Sequence, residues 1–286
     1  MIPPEFDYLR PHSVDEAVTE LGRAGDDAKV LAGGQSLLPL LRLRLAYPST
    51  LIDLGGLGEL RGVRRDGDEL VIGSMTTHYD VLHDPLIAEH CPLLAQATGT
   101  VADPAVRHRG TFGGALSHAD PAGDLPAVAL ALDAAFVIEG PDGRRTVPAG
   151  QFFSDYLETA VRPGEILVEV RVPVLGAGWS SAYEKFNRVA QAWAIVGVAA
   201  LVRTEGDTIA EARVGLTNMG TTPIRASATE QLLAGTSARN GGIARAAEAA
   251  AEGTEPAADL SAQPDYRQHL ARVLTRRAVQ KAVAAT

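Results

Sequence analysis

The chain has 286 residues, with 26 Lys and Arg against 35 Asp and Glu, and one cysteine, Cys91. A chain of this length buries roughly 70–75% of its unfolded surface, and 46% apolar with 21% charged residues excludes wholesale disorder. The net charge of −9 excludes a broad nucleic-acid-binding surface, and the lone cysteine excludes an internal disulfide framework or a protein-only iron–sulfur cluster. No run reaches the ~20 apolar residues of a membrane span. The opening Met-Ile-Pro-Pro-Glu-Phe has no signal-peptide pattern. The chain is therefore expected to be cytoplasmic, without a direct membrane anchor.

Ser13-Val14-Asp15-Glu16 is a capping-box pattern, and Val14, Ala17, Val18 and Leu21 mark one apolar helix face. That helix is expected to stop near 22–25. A strand over 29–32 runs into Gly33-Gly34-Gln35-Ser36. A helix over 37–45 and a strand over 50–54 follow, with Pro39 tolerated in the first helical turn. The first 55 residues thus read as a βαβ-type unit with a glycine turn after its central strand. Next come a strand over 69–72, short helices over 77–83 and 91–98, and a loop over 103–114. A helix over 120–132 would carry Asp120, Pro121 and Asp124 in its first turn, where acids meet the helix dipole. Strands are expected over 136–139, 146–147 and 165–172.

Residues 173–178 (Pro-Val-Leu-Gly-Ala-Gly) are the natural boundary. They divide the chain into a domain over 1–176, with lobes at 1–55 and 56–176, and a domain over 177–286. The second domain reads as strands over 180–186, 194–203, 209–216 and 223–226, then helices over 228–233, 243–252 and 266–285. Strands followed by helices make the class α+β. Arg267, Arg272, Arg276, Arg277 and Lys281 give the last helix a basic side, read as solvated.

Two segments carry chemistry, Ala32-Gly33-Gly34-Gln35-Ser36 and Gly110-Thr111-Phe112-Gly113-Gly114. Glycine lets a ligand approach the backbone, and successive amides in such turns form anion-binding nests. Two nests facing each other would clasp a pyrophosphate without cationic side chains, which suits an acidic chain. Ordinary tight turns are the competing reading. Neither segment is G-x-G-x-x-G or a P-loop, no serine-hydrolase elbow occurs, and His78, His83, His90, His108 and His118 show no metal-ligand spacing.

The runs K-V-L-A-G-G-Q-S-L-L-P-L-L-R-L-R, R-G-T-F-G-G-A-L-S-H-A-D-P-A-G-D, G-E-I-L-V-E-V and Y-E-K-F resemble, in this order and over essentially the whole chain, the FAD-binding medium subunits of molybdenum hydroxylases. Among these the resemblance is strongest to the aerobic carbon monoxide dehydrogenase flavoprotein. It implies a two-lobed FAD-binding domain of the PCMH/vanillyl-alcohol-oxidase type, followed by a smaller α+β domain with an antiparallel sheet and helices. It also implies FAD contacts at Val30, Leu31, Ala32, Gly33, Gly34, Gln35, Ser36 and Leu37, at Val101 and Ala102, and at Gly110, Thr111, Phe112, Gly113, Gly114 and Ala115. Asp124 would be a polar anchor for the cofactor and Leu167 an apolar contact near the flavin. Lys185 would be a cation near the flavin N1/C2=O pole, tuning its potential. Trp193 would shield the ring. Many relatives carry an acid before that aromatic, where this chain has Ala192.

The implied partners are a small iron–sulfur subunit and a large molybdenum-cofactor subunit, in a dimer of heterotrimers. The implied reaction takes carbon monoxide and water to carbon dioxide, with FAD passing electrons to an external acceptor, expected to be a quinone. An adaptor would recruit the complex to the inner face of the membrane. The alternatives are the FAD subunit of a xanthine- or aldehyde-type dehydrogenase, a free-standing flavin oxidoreductase, and an adaptor with a vestigial FAD site.

Overall fold

The Ser13 cap forms, its hydroxyl accepting from the Glu16 amide at 3.1 Å, while the Glu16 carboxylate reaches one residue further back and accepts from the His12 amide at 2.7 Å. The computed structural model describes residues 2–239 and 241–285. In its first lobe β1 (Asp7–Leu9), α1 (Val14–Ala24), β2 (Ala28–Leu31), α2 (Leu37–Leu43) and β3 (Thr50–Asp53) form a parallel three-stranded sheet of order β1-β3-β2. The strand before the first glycine turn is therefore an edge strand, and β3 is central. The expected βαβ order misses this because β1 is only three residues of mixed polarity. α2 stops two residues early, where Arg44 enters the left-handed region at φ 57°.

The second lobe is an antiparallel sheet of order β4-β5-β10-β6-β7, built from β4 (Val63–Asp66), β5 (Glu69–Gly73), β6 (Ala135–Gly140), β7 (Gly143–Pro148) and β10 (Ile166–Pro173). One face packs under α3 (His78–His83), α4 (Pro85–His90), α5 (Pro92–Gly99), α7 (Phe112–His118), α8 (Asp124–Ala131) and α9 (Ala149–Phe152), with α6 (Pro104–Arg107) set against α3. The ribbon β8 (Phe153–Asp155) and β9 (Glu158–Thr159) lies beside it. The other face sends Val137, Ile166 and Val168 into the first lobe's core with Val14, Ala17, Leu21 and Ile52.

Two expectations fail in this lobe and one helix was not foreseen. The segment 103–114 is not a loop: Asp103 caps α6 through the Val106 amide, and Thr111 caps α7 through the Gly114 amide. The helix expected from 120 begins at Asp124, because Ala119 turns left-handed at φ 51° and a turn over 120–123 intervenes. α4 went unread, although Asp84-Pro85 is a cap followed by proline at the first helical position. Cys91 lies in this core, where burial pushes its thiol up to about 12 and makes it a poor nucleophile.

The third unit is an antiparallel sheet of order β11-β12-β13-β14, from β11 (Trp179–Phe186), β12 (Val196–Glu205), β13 (Thr208–Thr217) and β14 (Ile224–Arg225), with α10 (Ser227–Leu233), α11 (Gly242–Ala247) and α12 (Pro264–Ala284). β12 is apolar and buried over 196–202 because both faces are covered there. Ala199 and Leu201 join Tyr183 in the second lobe's core, while Val198, Ala200 and Val202 face the α12 side. The helix expected over 243–252 tightens to a 3-10 turn at Glu248–Ala251. Arg267 departs from the solvated face assigned to it. Only 1% exposed, it donates to the Ile195 carbonyl and pairs with Asp259 at 2.6 Å. Among the described residues no helix is long and apolar enough to cross a membrane.

Candidate functional site

The two glycine segments meet. A Cβ on Gly33 would overlap the Arg109 carbonyl, and the Gly110 Cα would lie 2.6 Å from it. Gly114 sits behind the Thr111 hydroxyl and beside Ala32. Around this junction opens a cavity of about 930 Å³, at the upper end of the roughly 300–1,000 Å³ typical of small-molecule sites. It runs from Asp27, Lys29 and Tyr47 at the first lobe, past Leu167 of the second, to Lys185 and Trp193 at the third unit.

The two segments offer a ligand different things. In the first, the amides of Gly34, Gln35 and Ser36 donate to no acceptor among the described residues, and Gly34 holds φ at 74°. This is an open nest. In the second, the backbone pairs with the stretch before α3. The Phe112 amide donates to Thr76 O, Gly113 to Ser74 O, Gly114 to Thr111 Oγ1 and Ala115 to Thr111 O. Those four donors are spent inside the fold, while the Thr111 amide, which also borders the cavity, donates to nothing among the described residues. Gly113 is needed for packing: a Cβ there would lie 2.5 Å from Ser74 Cβ. Gly113→Ala is expected to cost about 1–3 kcal/mol. Gly34→Ala is expected to cost about 1–2 kcal/mol through its left-handed backbone. Both are read from denaturant midpoints, and wild-type midpoints would contradict these assignments.

At the opposite end Asp124 and Lys185 form a buried ion pair, Nζ to Oδ2 2.8 Å, with side chains 4% and 5% exposed. The Tyr183 hydroxyl donates to the other carboxylate oxygen at 2.6 Å, and Lys185 Nζ also donates to the Thr100 carbonyl at 3.1 Å. Burial pushes the Asp124 carboxyl up, while Lys185 and Tyr183 pull it back. Burial, with Asp124 beside it, drives the Tyr183 phenol well above its ordinary value. Asp124 comes from the first turn of α8, and Lys185 and Tyr183 from β11. The pole is thus assembled across two lobes, and its lysine is a paired cation rather than a free one. Leu167 lies beside a bulge where β10 slips register against β6. Trp193 is 56% exposed at the cavity rim, so it is not a core residue.

Of the residues expected to contact a cofactor, Val30, Ala32 to Leu37, Val101, Ala102, Gly110, Thr111, Gly113 to Ala115, Asp124, Leu167, Lys185 and Trp193 line this cavity. Leu31 and Phe112 do not line it; Phe112 points into the second lobe's core. Ser74 and His78, also in the lining, went unread. Both are 4% exposed, and Ser74 Oγ and His78 Nδ1 have no hydrogen-bond partner. Thr77, which caps α3, is the sequence signal that was available for this turn. Among the described residues no cluster of three metal-ligating side chains occurs.

An elongated cleft with an open amide nest at one end and a buried cation–carboxylate pair at the other is the seat of a phosphate-bearing redox cofactor. The class is that of FAD-binding proteins: residues 4–175 match the family described as FAD binding domain in molybdopterin dehydrogenase, and residues 181–282 match the CO dehydrogenase flavoprotein C-terminal domain. The chain belongs to the FAD-binding medium subunits of the molybdenum hydroxylases. It is 44% identical to the carbon monoxide dehydrogenase medium chain of Hydrogenophaga pseudoflava, covering 99% of this chain and 98% of that one. It is 37% identical to the 6-hydroxypseudooxynicotine dehydrogenase complex subunit alpha of Paenarthrobacter nicotinovorans, covering 99% and 96%. A solved carbon monoxide dehydrogenase structure from Hydrogenophaga pseudoflava superposes with a TM-score of 0.97 at 46% identity, covering 99% of each chain.

Proposed function

We propose that this chain is the electron-transfer subunit of an aerobic carbon monoxide dehydrogenase. Carbon monoxide and water become carbon dioxide, two protons and two electrons on a large molybdenum subunit. A small iron–sulfur subunit relays the electrons to this chain, and an external quinone receives them. The assembly is a dimer of heterotrimers in the cytoplasm, met at the membrane through an adaptor. Full-length similarity to a carbon monoxide dehydrogenase medium chain carries the reading.

Bound in the cavity, FAD supplies reversible electron transfer. The Gly34–Ser36 amides hold its diphosphate, and Val101, Ala102 and Leu167 give its ring an apolar bed. Asp124 and Lys185 supply a fixed polar pole that needs no reorientation as charge changes. Trp193 covers the open rim. Residues 1–176 and 177–286 act as the two domains of this unit, with the pole between them.

The test is anaerobic addition of carbon monoxide to the purified complex with a quinone analogue as acceptor. Flavin bleaching and quinone reduction are expected, with no turnover by this chain alone. A complex inert to carbon monoxide but active on an N-heterocycle or aldehyde would move the chain to another hydroxylase, a reading that the 6-hydroxypseudooxynicotine dehydrogenase relative favours. A chain that never takes up FAD would be an adaptor.

A further inference from the structure

The connection between β11 and β12, residues 187–195, runs along the cavity rim and carries Trp193. We infer that Asn187 is the clasp of this connection: its side-chain amide gathers the loop and so keeps Trp193 at the rim, which makes Asn187 a positioning residue for the cover of the bound ring. The inference rests on the reading that the cavity holds FAD.

The connection is longer than the roughly two to five residues of common hairpin loops. Outside the strands, and among the described residues, its backbone is braced by the Ala192 amide donating to Val189 O at 2.9 Å and the Ile195 amide donating to Phe186 O at 2.8 Å. Side chains hold the other carbonyls. Asn187 Nδ2 donates to Val189 O at 2.8 Å, with Ala190 O at 3.4 Å and Ala192 O at 3.5 Å from the same nitrogen. At the base of the loop, Asn218 donates to Ala194 O at 2.7 Å and Arg267 to Ile195 O. The base is thus anchored from elsewhere in the third unit, and Asn187 gathers the crown. The Ala192 carbonyl belongs to the peptide that enters Trp193, so tethering it fixes where the indole starts. Trp193 and Val189 are both exposed, so packing contributes little to holding the crown and its hydrogen bonds set its place. The loop is also a partition. Ala192 and Trp193 line the main cavity, Asn187 and Ala190 line a second cavity of about 490 Å³, and Gln191 and Lys185 border both. A crown released from its clasp would join the two spaces and open the ring to solvent beside Lys185.

The test uses the full chain with 5-fluorotryptophan at its two tryptophans, Trp179 and Trp193. Fluorine NMR follows both signals with and without FAD, and stopped flow follows ferricyanide reoxidising the dithionite-reduced, FAD-loaded chain. Asn187→Asp keeps the shape and removes the donor; Asn187→Ala removes it without adding charge and keeps the test standing if the first variant does not fold. Both are expected to move the Trp193 signal and leave that of Trp179 in place. Both should also raise the ferricyanide rate constant roughly three- to tenfold, the population shift that one lost hydrogen bond gives. Asn187→Gln, which retains the amide, is expected to recover part of the change. Trp193→Ala should raise the rate constant as well, and adding Asn187→Ala to it should raise it little further. A wild-type Trp193 signal or a wild-type rate constant in both donor-free variants, or fully additive effects in the double variant, would overturn the assignment. A wild-type chain that takes up no FAD would instead sink the FAD reading, and the Trp193 signal of the flavin-free chain would still judge the clasp.

Discussion

Lys185→Ala is expected to lower the stability of the chain by about 3–5 kcal/mol, because it leaves the Asp124 carboxylate buried beside Tyr183 with its cation gone. In a chain of this size that is a fall in melting temperature of about 10 °C. The variant should also gain a pH dependence of known sign. Asp124 is already held above its ordinary pKa by burial. Without Lys185 the folded state keeps a proton there that the unfolded chain releases above about pH 4. Stability contributed by that proton is fully present below the unfolded pKa and is lost as pH rises through the folded one. The double variant Asp124→Asn, Lys185→Met removes both charges together and should recover more than half of the loss. A Lys185→Ala chain that melts within about 1 °C of wild type would show that the pair carries no structural weight.

His78 sets a second large effect, of opposite sign. Its folded pKa lies at about 4 against an ordinary 6.5, through burial and the nearby Arg107. Between those values the unfolded chain binds a proton that the folded chain refuses. The stabilisation is complete above about pH 6.5 and is lost as pH falls through 4. At 1.36 kcal/mol per pKa unit it amounts to about 3 kcal/mol. Urea midpoints of wild type and His78→Asn, measured from pH 7.5 to 4.5, isolate this contribution from that of the carboxylates. The variant's curve should be flatter on the acid side by about that amount. Parallel curves would mean that His78 titrates as an exposed imidazole.

Much of the fold was legible wherever pattern and period agreed. The capping-box pattern at Ser13 placed α1, and short apolar runs placed β5, β10 and β12 as strands. Elements that stayed hidden lacked such a signal. β4 is an exposed edge strand containing two arginines and an aspartate, and α6 is a single turn. The site was legible as a set of residues, because glycine pairs mark close backbone approach. What each glycine does was not. The spent amides of α7 depend on pairing with Ser74–Thr76, and the ion pair joins residues 61 positions apart. Arg267 was misread because its partners, Asp259 and the Ile195 carbonyl, become neighbours only when α12 lies across the sheet. Such facts belong to tertiary contact, and local sequence does not encode them.

The stitching between α8 and the third unit has a consequence for building chimeras. Besides the Asp124 pole, Asn218 donates its amide to Pro121 O, Thr217 its hydroxyl to Gly123 O, and Arg225 its guanidinium to Leu130 O, while Gly215 presses on the Ala127 carbonyl. The two segments matched by separate family models thus pack as a single unit. Shuffling one without the other would import a carboxylate lacking its counter-ion and a helix lacking the strand moulded to it.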